Sequence, residues 1–469
     1  MAMPFQLPRD PVSVFRERTG LRVSCLLIPL IFFFSTAHSQ STVAPAAQQA
    51  GAEKTLRLED LEQMALRNNP TIAQTEAAVR AAEGRRVQAG LYPNPIIGYQ
   101  GEGLSTRAFG QRSEHAGYIE QTIPLGGKLG KSRNIAAREK DQAEIDATAQ
   151  KQRVLNAVRM LYYEALGAQL LVDVRGRLAR LAREAVSITG ELYNVGQADR
   201  PDSLAIEVEA QRAQLDLLIA ENERDQVWQQ MAALVGDPAM DPMPLAGSLE
   251  TGLPQFDQQA ALTRLLTASP EIKRSNAGIE RAKAALARAK AEPAPDLFVR
   301  AGFGYSNEAL EIAGREFYKV GPQGSLEVGV RIPLFNRNQG GIAAAAAELD
   351  IAERERQRVE LSLRARAAAT FRMYVNSLRA VGQYEKQIVP RAQTAYEMYL
   401  TRFRQMAAAY PQVLISQRTL FQVRAEYIRA LTDAWQNATL IQGLLLTGGL
   451  DAPMSTQTSE TTAPAAGQH

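Results

Sequence analysis

Ser325-Leu326-Glu327-Val328-Gly329-Val330-Arg331-Ile332-Pro333-Leu334 sets Leu326, Val328, Val330 and Ile332 against Ser325, Glu327, Gly329 and Arg331. A period of two is the signature of a strand with one apolar and one polar face. The segment upstream repeats it, with Leu297, Val299, Ala301 and Phe303 alternating with Phe298, Arg300, Gly302 and Gly304. Earlier in the chain the same theme is fainter: Ile119 and Ile123 fall on one row, Tyr118 and Glu120 on the other, and Ile97 and Tyr99 echo it. Such strands suit a half-exposed sheet in a soluble α+β protein. They suit a membrane barrel equally, because barrel strands give a weak signal per segment.

The organisation around the strands is duplicated. Asn69-Pro70-Thr71-Ile72 opens a helical stretch ending in Tyr92-Pro93-Asn94-Pro95, and Ser269-Pro270-Glu271-Ile272 opens another ending in Glu292-Pro293-Ala294-Pro295. Each copy continues with a strand-like segment, a polar loop, and a second strand-like segment closing in Ile123-Pro124-Leu125 or Ile332-Pro333-Leu334. A very long helical stretch then follows. A unit of this length is too long for a solenoid repeat and implies two similar halves of one fold. The boundaries read as a first repeat over 56–236, a linker over 237–257 and a second repeat over 258–450.

Between Lys131 and Leu166, and between Ile342 and Val381, no glycine or proline interrupts sequence rich in Ala, Glu, Arg and Gln, which are strong helix formers. After Pro201, the residues Leu204, Val208, Leu215 and Leu218 step by threes and fours as a coiled-coil seam does. The alanines of 343–347 would let neighbouring backbones come close. Both long stretches turn back at matching places, Tyr193 to Leu204 and Phe403 to Leu414, with Pro201 and Pro411 placed for the first turn of a returning helix. An isolated coiled-coil rod would have no use for four alternating strands.

Arg9, Arg16, Arg18 and Arg22 precede an apolar run from Cys25 to Phe34 and a small-residue exit at Ala37-His38-Ser39. That is the pattern of a cleaved secretory signal over 1–39. Cys25 is the only cysteine. It starts the apolar run, whereas a lipidation cysteine follows such a run, so the mature chain is expected to carry neither disulfide nor thiolate metal site. Beyond the signal there is no apolar run of about 18 residues. With 53 basic and 50 acidic residues interspersed, no basic block exists to track nucleic acid. Residues 451–469, rich in Thr, Ser, Ala and Gln, read as a disordered tail.

Enzyme motifs fail on spacing. Gly126-Gly127-Lys128-Leu129-Gly130-Lys131-Ser132 follows a strand and opens a helix, but a phosphate-binding loop needs glycine where Leu125 stands; a strand-to-helix hinge is the better reading. His115 and His469 are too far apart in sequence to build a triad or zinc set. No catalytic, cofactor-binding or metal site is expected.

Ala65-Leu66-Arg67-Asn68-Asn69-Pro70, Gln88-Ala89-Gly90-Leu91-Tyr92-Pro93-Asn94-Pro95, Glu120-Gln121-Thr122-Ile123-Pro124-Leu125-Gly126-Gly127-Lys128, the Gly196-to-Leu204 turn and Ile332-Pro333-Leu334-Phe335 together resemble the TolC-like outer-membrane efflux factors. The resemblance runs in order from Leu56 to Leu450. It implies a mainly α fold with a β-barrel part: long coiled-coil hairpins form a periplasmic α-barrel, and each of three protomers gives four strands to one twelve-stranded transmembrane barrel. Within that frame Ile119, Ile123, Leu326, Val328, Val330 and Ile332 would face lipid, and Tyr118, Glu120, Arg300, Glu327 and Arg331 the lumen.

The resemblance further implies a passive outer-membrane duct in a tripartite efflux system of a Gram-negative cell. Its partners would be a periplasmic adaptor (membrane fusion protein) and an inner-membrane pump of the resistance-nodulation-division type. The hairpin ends, with Gly196, Asp199, Asp202, Met406, Pro411 and Gln412, would dock the adaptor or gate the mouth. Asn-Pro and Gly-Gly-Lys look most like the branch paired with cobalt-zinc-cadmium and copper-silver pumps. The other readings are a drug or organic-solute duct, a type I secretion duct, and a periplasmic coiled-coil adaptor. Several family members carry Asp before the Val-Leu of the second hairpin, as part of an acidic ring; here that residue is Gln412. Asp199 and Asp202 read as helix-capping residues.

Overall fold

Helix starts are set by the residue pairs that mark the duplication. Asn69 Oδ1 accepts from Thr71 N at 3.0 Å and Ser269 Oγ from Glu271 N at 3.2 Å, each with proline following inside the first turn. Asn and Ser satisfy an orphan amide, and proline has none to lose. In the computed structural model, described over residues 55–104, 113–196, 199–312, 314–405, 407 and 410–451, these caps divide α1 (Leu58–Asn68) from α2 (Pro70–Gln88). In the second half they divide α5 (Gln258–Ala268) from α6 (Pro270–Ala291). The signal segment with Cys25, the tail after Asp451 and Met406 lie outside the described residues.

Between the short helices and the long ones stand β1 (Ile96–Glu102) and β2 (Glu114–Ile123) in the first half, β3 (Leu297–Ile312) and β4 (Arg315–Val330) in the second. They form one antiparallel sheet in the order β1-β2-β3-β4. The polar loop expected in the second half is replaced by a strand hairpin turning at Gly314, φ 76°. Arg331 and Ile332, read as strand residues, lie just past β4, where Pro333 has no amide to give a ladder.

Each half then runs into its hairpin: α3 (Lys128–Asn194) with α4 (Arg200–Val235), and α7 (Gln339–Gln383) continuing through a π-helical turn (Tyr384–Ile388) into α8 (Val389–Arg404) with α9 (Tyr410–Gln442). The 67 residues of α3 make a rod about 100 Å long at ~1.5 Å per residue. The second column differs because Pro390 sits within it. Proline removes an amide and crowds the preceding turn, and a π-helical turn just before it takes up the misfit.

The core lies where the two halves meet. Leu61, Val154, Val158, Met231, Val235 and Ala434 are fully enclosed in one cluster, Leu363, Tyr374, Ala438 and Leu446 in a neighbouring one. The inter-repeat segment is fastened along it: Trp228 Nε1 donates to Met240 O, Trp435 Nε1 to Leu249 O, and Leu56 bridges Leu245. Gly236 closes α4 at φ 77°, with Asn68 O only 2.7 Å from where a Cβ would stand. Gly236→Ala is expected to cost about 2 kcal/mol, visible as a lower Tm of the detergent-solubilised protein.

Two stripes run along α4. The stripe of α4 buried within the chain is Ile206, Ala210, Ala213, Ala220 and Val227. Leu204, Val208, Leu215 and Leu218 stay exposed, Leu215 at 57%. The first stripe, rich in small residues, packs within the chain, and the leucine stripe is left bare. Of the alanines in 343–347, only Ala345 is buried within the chain.

Candidate pore lining and hairpin tips

Antiparallel register puts directly paired residues on the same face. Ile97, Ile119, Ala301 and Leu326 therefore form one row, with Val299 and Val328 beside it and Ile123, Leu297 and Val330 beyond. Tyr99, Phe303 and Tyr305 follow toward the other end of the same face. This face carries no Asp, Glu, Lys or Arg in the rows from Val330 to Pro322. Its apolar side chains are bare, Leu326 at 74% and Val328 at 60% exposure. Gln121 is its one amide beside the valines, and it donates to the carbonyls of Pro93 and Thr122.

The opposite face holds every Asp, Glu, Lys and Arg of those rows. Glu120, Arg300 and Glu327 pair directly across three strands. Arg300 Nη2 lies 2.7 Å from Glu120 Oε2, Arg300 Nη1 lies 3.7 Å from Glu327 Oε2, and the guanidinium sits 4.6 Å from the centre of the Tyr118 ring. Gly98 makes room for that ring, since a Cβ there would strike it. Glu102 and Glu114 pair at the far end, Glu114 accepting from Ser306 Oγ. Among the five residues expected on this face, the register joins Tyr118, Glu120, Arg300 and Glu327; Arg331 is beyond it.

Where the sheet meets the helices, Gly126 and Gly127 both take φ 69°, and a Cβ on Gly126 would collide with Ala294. Lys128 Nζ is buried and paired with Asp296 Oδ1 at 2.8 Å, and the same oxygen accepts from Leu125 N. The lysine that makes the motif look like a phosphate loop thus ties the exit of β2 to the start of β3. Sequence reasoning missed this pair, because its partner lies 168 residues away.

At the far end of the hairpins, a cavity of about 780 Å³ opens between α3/α4 and α8/α9, with Asp202, Phe403, Tyr410 and Pro411 at its tip end. Arg418 Nη1 reaches Glu209 Oε1 across the two hairpins at 3.4 Å. Burial pushes the Tyr410 phenol up to about 12, so it stays neutral in ordinary conditions. Gly196 turns at φ 72° with open space around it. Asp199 stands at the cap position of α4 but makes no side-chain cap bond, which corrects the capping expectation; Asp202 is in the first turn. Pro411 and Gln412 are exposed at the start of α9.

Among the described residues no group of three or more His, Cys, Asp or Glu could hold a metal ion, and no helix is long and apolar enough to cross a membrane. No curated protein matches the chain. Solved structures do match in fold. The outer membrane protein VceC of Vibrio cholerae is 18% identical, with TM-score 0.67 over 83% of this chain and 96% of that one. The Neisseria gonorrhoeae MtrE outer membrane channel, in its open state, is 18% identical, with TM-score 0.62 over 85% and 91%. The Campylobacter jejuni CmeC outer membrane channel is 13% identical, with TM-score 0.62 over 85% and 87%. The sequence model of the outer membrane efflux protein family matches residues 61–237 and 261–445, one stretch in each half. With most of its length matched, the chain belongs to the outer membrane efflux protein family: it is an efflux channel of the outer membrane with a periplasmic helical extension, and not an enzyme.

Proposed function

We propose that three copies of this chain close a twelve-stranded barrel in the outer membrane and conduct solutes delivered by an inner-membrane pump. The observation that carries this reading is the separation of the sheet, over the rows from Val330 to Pro322, into an uncharged face and a face holding all the charge of those rows. The uncharged face runs from Pro322 to Val330 of β4, about 27 Å along the strand. That is ~20 Å along the axis of a barrel with strands tilted ~40°, close to the apolar band of outer-membrane barrels. Tyr99, Phe303 and Tyr305 at one end of it suit an interfacial girdle. Ile119, Ile123, Leu326, Val328 and Val330 face lipid in this arrangement, and Ile332 extends their row; Tyr118, Glu120, Arg300 and Glu327 face water, with Arg331 at the mouth.

The edges support closure. β1 and β4 are the outer strands of the sheet, and a membrane tolerates no unpaired edge, so β4 of one chain pairs with β1 of the next. The bare leucine stripe of α4 suits a helix from outside the chain. The tips at Gly196 to Ser203 and 406–412 meet a periplasmic adaptor, which couples the duct to a pump of the resistance-nodulation-division type. The domain limits stay as read, 56–236 and 258–450 around a 237–257 linker.

The cargo we assign is heavy-metal cations, on the Asn69-Pro70 and Gly126-Gly127-Lys128 resemblance. Membrane fractionation tests the duct: the protein is expected in outer membranes, extracted only by detergent and cross-linking as a trimer. A soluble monomer in the periplasm would favour the adaptor reading. A deletion strain is expected to be sensitised to cobalt, zinc, cadmium, copper or silver salts; sensitivity confined to organic drugs, or loss of a secreted protein, would replace the cargo and leave the duct.

A further inference from the structure

The uneven charge on the polar face of the sheet decides more than which face is wet. In the rows from Val330 to Gly321 it carries four carboxylates, Glu102, Glu114, Glu120 and Glu327, and one cation, Arg300. Arg331 lies just past β4, and beyond Gly321 the β3–β4 hairpin adds Lys319 and Arg315 with Glu311 and Glu316. Three chains around one axis repeat this excess three times.

The carboxylates are not equivalent. Arg300 is engaged with Glu120, Nε donating at 2.9 Å and Nη2 lying at 2.7 Å, and its plane is held over Tyr118. Glu114 is occupied by Ser306 Oγ, and Glu102 accepts from Gln100 Nε2. Glu327 is 3.7 Å from Arg300 and its side chain is 57% exposed. Arg300 therefore holds Glu120 more closely than Glu327, and the row Glu120–Arg300–Glu327 keeps one net negative charge, with Glu327 its more exposed carboxylate. A narrow water-filled passage with low-dielectric walls concentrates the field of such a charge, and ions of opposite sign gather there.

We propose that the barrel lumen favours cations over anions and that Glu327 is the residue that sets this preference. The inference rests on the reading of this face as the lumen. It concerns the sign of the charge that passes, and inorganic and organic cations share it. The preference would come from the barrel, since the second hairpin carries Gln412 in place of an acidic residue.

The test uses the full trimer in outer membranes, with Ser325→Cys one row from Glu327 as its single thiol, since the chain's only cysteine, Cys25, falls in the segment read as a cleaved signal. A cationic and an anionic methanethiosulfonate of similar size are applied from outside. The cationic reagent is expected to react about 10-fold faster, in the range by which charged clefts raise the rates of oppositely charged ligands. Glu327→Gln brings the ratio toward one, and Glu327→Asp keeps most of it. Trimer yield monitors folding in every variant. Equal rates at Ser325→Cys, or a ratio that Glu327→Gln leaves unchanged, overturns the proposal. A separate arm protects the distinction from the underlying reading: if Leu326→Cys reacts with both reagents and Ser325→Cys with neither, the lumen assignment itself falls. Bilayer recordings in a salt gradient then separate inorganic from organic cations by replacing potassium with tetraethylammonium.

Discussion

Arginine at Leu326 or Val328 is expected to abolish the assembled barrel, while arginine at Glu327 leaves trimer yield unchanged and alters conductance. Leu326 occupies the middle row of the uncharged face and Val328 the row beside it. A cationic side chain at the midplane of an outer-membrane barrel costs about 2–4 kcal/mol, falling toward the interfaces. Three chains multiply the burden, so most of the stability of a typical domain is at stake. Glu327 is one residue away but points to the other face, where an arginine meets water, Glu120 and Arg300. Heat-modifiable mobility on gels reports the trimer, and single-channel recording reports the current. The reverse pattern would mean that the strand is one residue out of register, because a slip by one exchanges the two faces completely.

How far that pattern could be read in advance depended on locality. Alternation over Leu326 to Val330 is local, so the face of each residue was legible, as were the duplicated Asn-Pro and Ser-Pro caps and the proline-led returning helices. The barrel-side loop of the second half was not: the turn rests on Gly314, inside a polar stretch that reads as loop although its backbone pairs as a strand. The stripe of α4 that packs within the chain was not singled out, because two stripes on that helix share the same three-four spacing. Apolar bulk singled out Leu204, Val208, Leu215 and Leu218. The chain instead packs the alanine stripe, where backbones can approach closely. The Lys128–Asp296 pair was invisible because it joins the two halves, and pairing across such a distance leaves no trace in spacing.

The two halves also differ where a duct must move. In the first hairpin, α3 is unbroken and packs Leu178, Ala179 and Ala182 against Ala210 and Ala213. In the second, Pro390 and the π-helical turn interrupt the column, and α8 buries none of its described residues. Local opening is cheapest where few apolar contacts hold an element. Motion at the tips is therefore expected chiefly from α8 and the start of α9, with the first hairpin as the fixed side.

Substituting the tips is expected to abolish solute resistance while trimer level and membrane insertion stay unchanged. Two variants make the case: Gly196→Val, and Pro411→Glu with Gln412→Glu. Gly196 holds φ 72° with nothing within 4 Å of an added Cβ, so valine would not clash with neighbours. Its penalty is confined to the backbone, about 1–2 kcal/mol for a left-handed residue, and is larger for a β-branched one. That is enough to remodel a turn but small beside the core far from it, where Leu61, Val154 and Met231 are enclosed. Pro411 and Gln412 are exposed at the start of α9 beside the cavity between the hairpins. New carboxylates there would disturb no packing within the chain and would oppose a partner seated on the tips. Opening needs such a partner, because a ligand shifts a closed-to-open equilibrium only by binding the open state more tightly. The readouts are growth on toxic solute, trimer yield, and cross-linking of adaptor to duct. Loss of cross-linking with a normal trimer supports docking at the tips. Trimers missing from the membrane would show that these residues only terminate helices, and normal resistance in both variants would place the adaptor elsewhere.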